Sequence, residues 1–203
     1  MTDTQIIAKE GYKGIIIITI FVVIFLWLGW NIFIFLSFLC LILSIFGFRN
    51  PERLAEDKFN PILIAPIDGK IIQVSNKEGF ICVAIDVDWL DVGILRSPVD
   101  VLEYKIVKKN GLFLRFSDNE LKNNLNTQIT FFSTGKYDFK IELYPQIFSS
   151  AKFYNKPAFI SNDRMGFMKL GELKLFFPAK FLDLKVNVGD KIKGGQTLIG
   201  YIK

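Results

Sequence analysis

The stretch Arg164–Pro178, RMGFMKLGELKLFFP, decides how the rest of the chain is read. Two apolar runs, Phe167 to Leu170 and Leu173 to Phe177, flank Gly171-Glu172, and the second closes on a proline. Short runs of Phe, Leu and Met punctuated by glycine carry the signature of strands rather than of a helix. The pattern recurs outward in both directions: Ile62 to Ala65, Lys70 to Val74, Phe80 to Ile85, Val101 to Val107, Leu112 to Phe116, Gln128 to Phe132, Phe139 to Leu143 and Thr197 to Ile202. Residues 61–203 are therefore expected to form a mainly β domain. Asp118 to Asn126 is the exception, open between a short helix and a polar loop.

Two turn signals bracket this domain. Ala65-Pro66-Ile67-Asp68-Gly69 precedes one run, and Val188-Gly189-Asp190 with Gly194-Gly195 precedes the last. Pro-x-Asp-Gly and Gly-Asp are turn formers because aspartate bonds its own backbone and glycine accepts positive φ. The layout resembles the barrel-sandwich hybrid of lipoyl and biotinyl carrier domains, a likeness of fold and not of function.

The other end of the chain obeys a different rule. From Gly14 to Phe48 no side chain is charged. One helix of that length would extend roughly 50 Å, against about 30 Å of hydrocarbon, so two spans turning near residues 28–31 fit better. Lys9 and Lys13 precede the segment and Arg49 and Arg53 follow it, so both flanks, and the β domain, are expected on the cytoplasmic side of the inner membrane. The expected organisation is a tail over 1–13, a transmembrane helical hairpin over 14–48, a linker over 49–60 and a β-rich barrel-sandwich-like domain over 61–203.

Several classes are excluded. The chain has no histidine, and its two cysteines, Cys40 and Cys82, lie in an apolar segment and an expected strand, so neither a zinc site nor a disulfide framework is expected. The formal net charge of +5 resides in residues 49–203, since Lys9 and Lys13 are balanced by Asp3 and Glu10. No basic run interleaved with aromatics points to nucleic acid. A mildly basic domain beside a bilayer reads either as an ordinary solvated surface or as one that suits an anionic phospholipid partner.

In order along the chain, Lys9-Glu10-Gly11-Tyr12, Phe48-Arg49-Asn50-Pro51-Glu52-Arg53, Ala65-Pro66-Ile67-Asp68-Gly69, Ser97-Pro98-Val99-Asp100-Val101 through Asn110-Gly111, and Arg164 to Gly171 resemble motifs of the bacterial, pyruvoyl-dependent phosphatidylserine decarboxylases. The resemblance implies phospholipid metabolism and an apparatus of aspartate, histidine and serine, in which the serine attacks the preceding glycine carbonyl and leaves a pyruvoyl group. Carried over by position, Asp68 is the family aspartate, Leu102 stands where the histidine of Asp-Val-His-x-x-Arg would be, and Glu172 follows Gly171 where the serine would be. Glutamate has no β-hydroxyl and leucine does not titrate. No pyruvoyl cofactor is expected at Glu172, and Ser133, Ser149, Ser150 and Ser161 read as turn or surface serines. Asp68 reads first as a turn former, and Glu172 as a solvent-facing strand residue or one that meets a cation.

The expectation is a membrane-anchored, divergent relative without decarboxylase activity, binding phospholipid headgroups or modulating a catalytic homologue, with homo- or hetero-oligomers of family members as partners. Two alternatives stand beside it: an active decarboxylase using an unrecognised residue, and an adaptor of the membrane-fusion type.

Overall fold

A computed structural model of the chain describes residues 6–53, 61–114, 124–135, 137–146 and 151–203. These belong to two compact units, Met1–Glu52 and Arg53–Lys203.

The first unit holds α1 (Tyr12–Leu28) and α2 (Asn31–Gly47). Neither helix has a polar face: Ile16, Phe21, Val23 and Leu26 on α1 and Ile32, Phe35, Leu36 and Phe38 on α2 are all exposed. Gly29, with φ 69°, ends α1 in the left-handed conformation that glycine adopts without steric cost, and Trp30 N–H donates to Phe25 O at 3.2 Å. The Phe25 ring then lies 5.3 Å from that of Phe33. Beyond the helices, Ile7 and Arg49 form an antiparallel bridge, and Ala8 N–H donates to Phe48 O at 2.8 Å. The stretch Lys9–Leu28 is long and apolar enough to cross a membrane, whereas α2 is shorter at 17 residues.

The second unit contains β1 (Ile62–Ile64), β2 (Gly69–Lys77), β3 (Phe80–Val87), β4 (Ile94–Arg96), β5 (Glu103–Lys109), β6 (Gln128–Thr134), β7 (Phe139–Pro145), β8 (Ala151–Phe153), β9 (Arg164–Met168), β10 (Gly171–Pro178), β11 (Leu182–Leu184), β12 (Lys191–Ile192) and β13 (Leu198–Ile202). They form a seven-stranded sheet in the order β12-β2-β3-β10-β7-β6-β5 and two three-stranded sheets, β1-β13-β11 and β4-β9-β8. Adjacent strands of the large sheet pair antiparallel, and residues two apart on a strand share a face.

On β10 this alternation sends Leu173, Leu175 and Phe177 inward, where Val83, Ile85, Ile141 and Leu143 join them in one core. Phe131 is fully buried at the centre of an aromatic cluster, with ring centroids of Tyr104 at 4.9 Å, Phe153 at 5.2 Å and Phe159 at 6.2 Å.

The expected mainly β class holds, but the domain is not a closed barrel. The outer strands of the large sheet, β12 and β5, do not pair with each other. β12 is two residues long, and β5 carries Lys105, Lys108 and Lys109 along an exposed edge, the charged kind of edge that resists further pairing. The short strands β4, β8, β11 and β12 escape sequence reading because two or three residues show no period. Leu112 makes an isolated bridge to Asn126, and Phe113 and Leu114 after it are not in a strand; the last two residues of the expected strand to Phe116, like most of Asp118 to Asn126, lie outside the described residues.

Replacing Phe131 by alanine removes the ring around which three others pack. A loss of about 3 to 5 kcal/mol is expected, measured as a lowered midpoint of denaturant unfolding with an unchanged slope.

Candidate functional site

The turn joining β9 to β10 is tight. Leu170 occupies the left-handed region at φ 49°, a conformation that costs a branched residue roughly 1–2 kcal/mol. Its carbonyl accepts Gln146 N–H at 2.9 Å, and Gly171 is paired with Val87 on one side and Pro145 on the other. Lys169, 3% exposed, turns inward, and its Nζ donates to Trp89 O at 2.7 Å and also to Asp91 O.

Glu172 opens the outward-facing row of β10, opposite Asp86 on β3 and Tyr144 on β7. Of the two readings of this residue, solvent-facing or meeting a cation, the structure shows the second. Its side chain is 14% exposed and its carboxylate lies 3.6 Å from Lys174 Nζ. The chain of contacts continues: Lys174 Nζ sits 4.7 Å from the Tyr144 ring centroid, Tyr144 Oη donates to Glu142 Oε2 at 2.9 Å, Glu142 pairs with Lys140 at 2.9 Å, and Lys140 lies over the Phe176 ring. Burial first, then the negative charge of Glu142, pushes the Tyr144 phenol well above its ordinary range. Burial likewise raises the Cys82 thiol, with Lys174 opposing it.

Asp68 closes the turn before β2 and is buried. Oδ1 accepts from Arg53 Nη1 and from Gly194 N–H at 2.8 Å, while Oδ2 accepts from Arg53 Nη2 at 2.8 Å. Arg53 in turn donates to Gly194 O at 3.1 Å, and its own carbonyl accepts Asn162 Nδ2 at 2.8 Å. Arg53, expected as a membrane-flanking charge, is half of a fork-to-fork pair and its side chain is 12% exposed. Arg49 stays near the helix end, its Nη1 donating to Phe46 O at 3.1 Å; Lys9 lies in a 3-10 turn and Lys13 in the first turn of α1. Among the described residues no cluster of three or more Cys, Asp or Glu is placed to hold a metal.

Strand register sets these residues relative to one another. Lys70 faces Asp86, which faces Glu172, so the starts of β2 and β10 lie at one end of the sheet, two strand spacings or roughly 10 Å apart.

A family model described as phosphatidylserine decarboxylase matches residues 42–200. The chain belongs to the phosphatidylserine decarboxylase family. It is similar to the phosphatidylserine decarboxylase proenzyme of Syntrophotalea carbinolica, 23% identical over 99% of each chain. The corresponding proenzyme of Carboxydothermus hydrogenoformans is 25% identical over the full length of both chains, and that of Amoebophilus asiaticus is 28% identical over 78% of this chain and 75% of its own. No solved structure matches.

Set against the phosphatidylserine decarboxylase pattern, Leu102 is not brought to the Gly171 junction. It is 79% exposed and precedes β5, whose pairing of Glu103 with Thr134 puts it at the end of the sheet away from Glu172. A second stretch has the pattern's spacing, Asp91-Val92-Gly93-Ile94-Leu95-Arg96, with aspartate, valine and arginine in place and Gly93 at the histidine position. This one touches the junction: Met168 N–H donates to Gly93 O at 2.8 Å. A Cβ at 93 would meet Met168 O at 2.5 Å, so the packing admits no side chain there. The arginine was the signal that separates the two stretches, since Lys105 occupies its place after Leu102. Ser133 is buried in β6 rather than on a turn, Ser161 donates its N–H to Asp100 at 2.7 Å, and Ser149 and Ser150 lie outside the described residues.

Asp68→Ala is expected to cost roughly 3 to 5 kcal/mol because it removes the carboxylate that pairs with the Arg53 guanidinium, whose side chain is only 12% exposed. In a double-mutant cycle read by unfolding, Arg53→Ala should add little once Asp68 is gone. The pH dependence has a definite sign. Cys82 and Tyr144 ionise less readily in the fold, so their contribution is complete below the ordinary thiol value of 9.0 and is lost as pH rises beyond it. Tyr144→Phe should flatten the alkaline fall in melting temperature.

Proposed function

We propose that this chain is a membrane-anchored member of the phosphatidylserine decarboxylase family that does not decarboxylate, and that it acts by binding phospholipid headgroups or by modulating a catalytic homologue. The observation that carries this reading is Glu172. It follows Gly171 at the start of β10, where the resemblance expects serine, and its carboxylate is engaged by Lys174. Self-cleavage requires a β-hydroxyl to attack the glycine carbonyl, and glutamate has none. The residues at the junction therefore do not fit a pyruvoyl group.

Other features point the same way. No histidine is available to move a proton at any position, under either placement of the family pattern. Asp68 engages both carboxylate oxygens with Arg53 and Gly194, which suits a structural brace better than a base. The left-handed Leu170 is the one trace of a strained junction, kept without the group that would use it. The apolar Lys9–Leu28 stretch supports anchoring, and the basic flanks Lys9, Lys13 and Arg49 support a cytoplasmic domain.

The competing reading, an active decarboxylase with an unrecognised residue, is favoured by the proenzyme names of full-length relatives. Against the adaptor reading, which usually carries a long helical hairpin within this domain, α1 and α2 both precede the β domain and no such hairpin interrupts it among the described residues.

Intact-mass analysis of the purified protein should return one chain of 23.3 kDa, and carboxyl-labelled phosphatidylserine should release no carbon dioxide. A chain broken after Gly171, a blocked new N-terminus, or label release would establish the competing reading.

A further inference from the structure

We infer that the loop Asp88–Asp91 is a second membrane contact, its Trp89 and Leu90 side chains entering the interfacial layer of a lipid bilayer. This rests on the membrane-anchored reading given above. The loop leads from β3 to the buried Val92, and its two central residues are large, apolar and exposed, Trp89 by 40% and Leu90 by 56%. Single exposed apolar residues are ordinary and decide nothing. Two further observations give this pair a direction.

The first is rigidity. Asp88 N–H donates to Asp91 Oδ2 at 2.9 Å, Trp89 N–H to Asp88 Oδ1 at 2.8 Å, and Asp91 N–H to Asp88 O at 3.3 Å. From beneath, the buried Lys169 donates to the carbonyls of Trp89 and Asp91, with its Nζ 5.9 Å from the Trp89 ring centroid. A desolvated ammonium thus holds the loop backbone in one shape, and a preorganised tip loses little entropy on meeting a surface.

The second is position. The β2–β3 register, with Lys70 opposite Asp86, sets the loop at the end of the sheet where Asp68 binds Arg53. Arg53 follows Gly47, the last residue of α2, by only six positions, at most roughly 20 Å of extended chain. Once the apolar segment is in a bilayer, chain length alone keeps this end of the β domain near the lipid surface. Tryptophan is the residue most at home at that depth. The carboxylates of Asp88 and Asp91 flank the tip, so the contact is apolar and should neither require anionic lipid nor weaken with salt.

The test uses the full chain with Trp27→Phe and Trp30→Phe, which leaves Trp89 as the remaining tryptophan of three. The protein is reconstituted into phosphatidylcholine vesicles with and without brominated acyl chains, and flotation is measured on the same sample. The expected result is blue-shifted Trp89 emission, strong quenching by bromolipid and protection from aqueous iodide. Adding Leu90→Asp should shift the emission red and abolish the bromolipid quenching while the protein still floats. A floating chain whose Trp89 is quenched by iodide and not by bromolipid overturns this inference and leaves the anchored reading intact. Protection from iodide without bromolipid quenching also overturns it, in favour of a protein surface covering the loop. A chain that does not float overturns both.

Discussion

Strand β10 is hydrogen-bonded along both edges, to β3 on one side and β7 on the other, and the second unit depends on that double pairing. A strand held on both sides has no freedom to slip, because a shift of one residue would turn Leu173, Leu175 and Phe177 outward and drive Glu172, Lys174 and Phe176 into the core. The left-handed turn at Leu170 sets where the strand begins. Residue 172 is thereby placed in one row with Asp86 and Tyr144, and it is there that the family's chemistry would have to occur.

Around this strand, charge is used to hold positions. Two basic side chains are withdrawn from solvent at one end of the sheet, the half-buried Arg53 against Asp68 and the buried Lys169 against backbone carbonyls. Neither arrangement need add much net stability, since desolvating such groups offsets most of their attraction. Their effect is on geometry: the first fastens the chain as it enters the domain, and the second shapes the loop beside the junction. A third set, Glu172-Lys174 and Lys140-Glu142 with the Tyr144 and Phe176 rings, fills the outer face of β7 and β10. The position after Gly171 holds a carboxylate with a cation at hand.

Much of the fold was legible because strands such as β2, β3, β6, β7 and β10 are long enough to show alternation between glycine and proline breaks. Strands of two or three residues carry no such signal, and nothing local distinguishes sheets that close from sheets that stay open. The site divides in the same way. That Glu172 lacks a hydroxyl and that no histidine exists follow from residue identity. The family pattern, however, fits two stretches, Asp91 to Arg96 and Asp100 to Lys105, and the contact of Gly93 with Met168 separates them. Arg53 read as a flanking charge because its partner was out of view.

By itself the sequence determined the apolar helical segment, the β class of the remainder, the lack of any histidine and the glutamate that follows Gly171. Those are consequences of side-chain chemistry and of periodicities a few residues long. Tertiary structure alone decided which residues meet: Arg53 with Gly194, separated by 141 positions, Lys169 with the Trp89 carbonyl, and Glu172 with Asp86 and Tyr144. Such meetings depend on strand register and on burial, which arise only when distant segments pack together and exclude water.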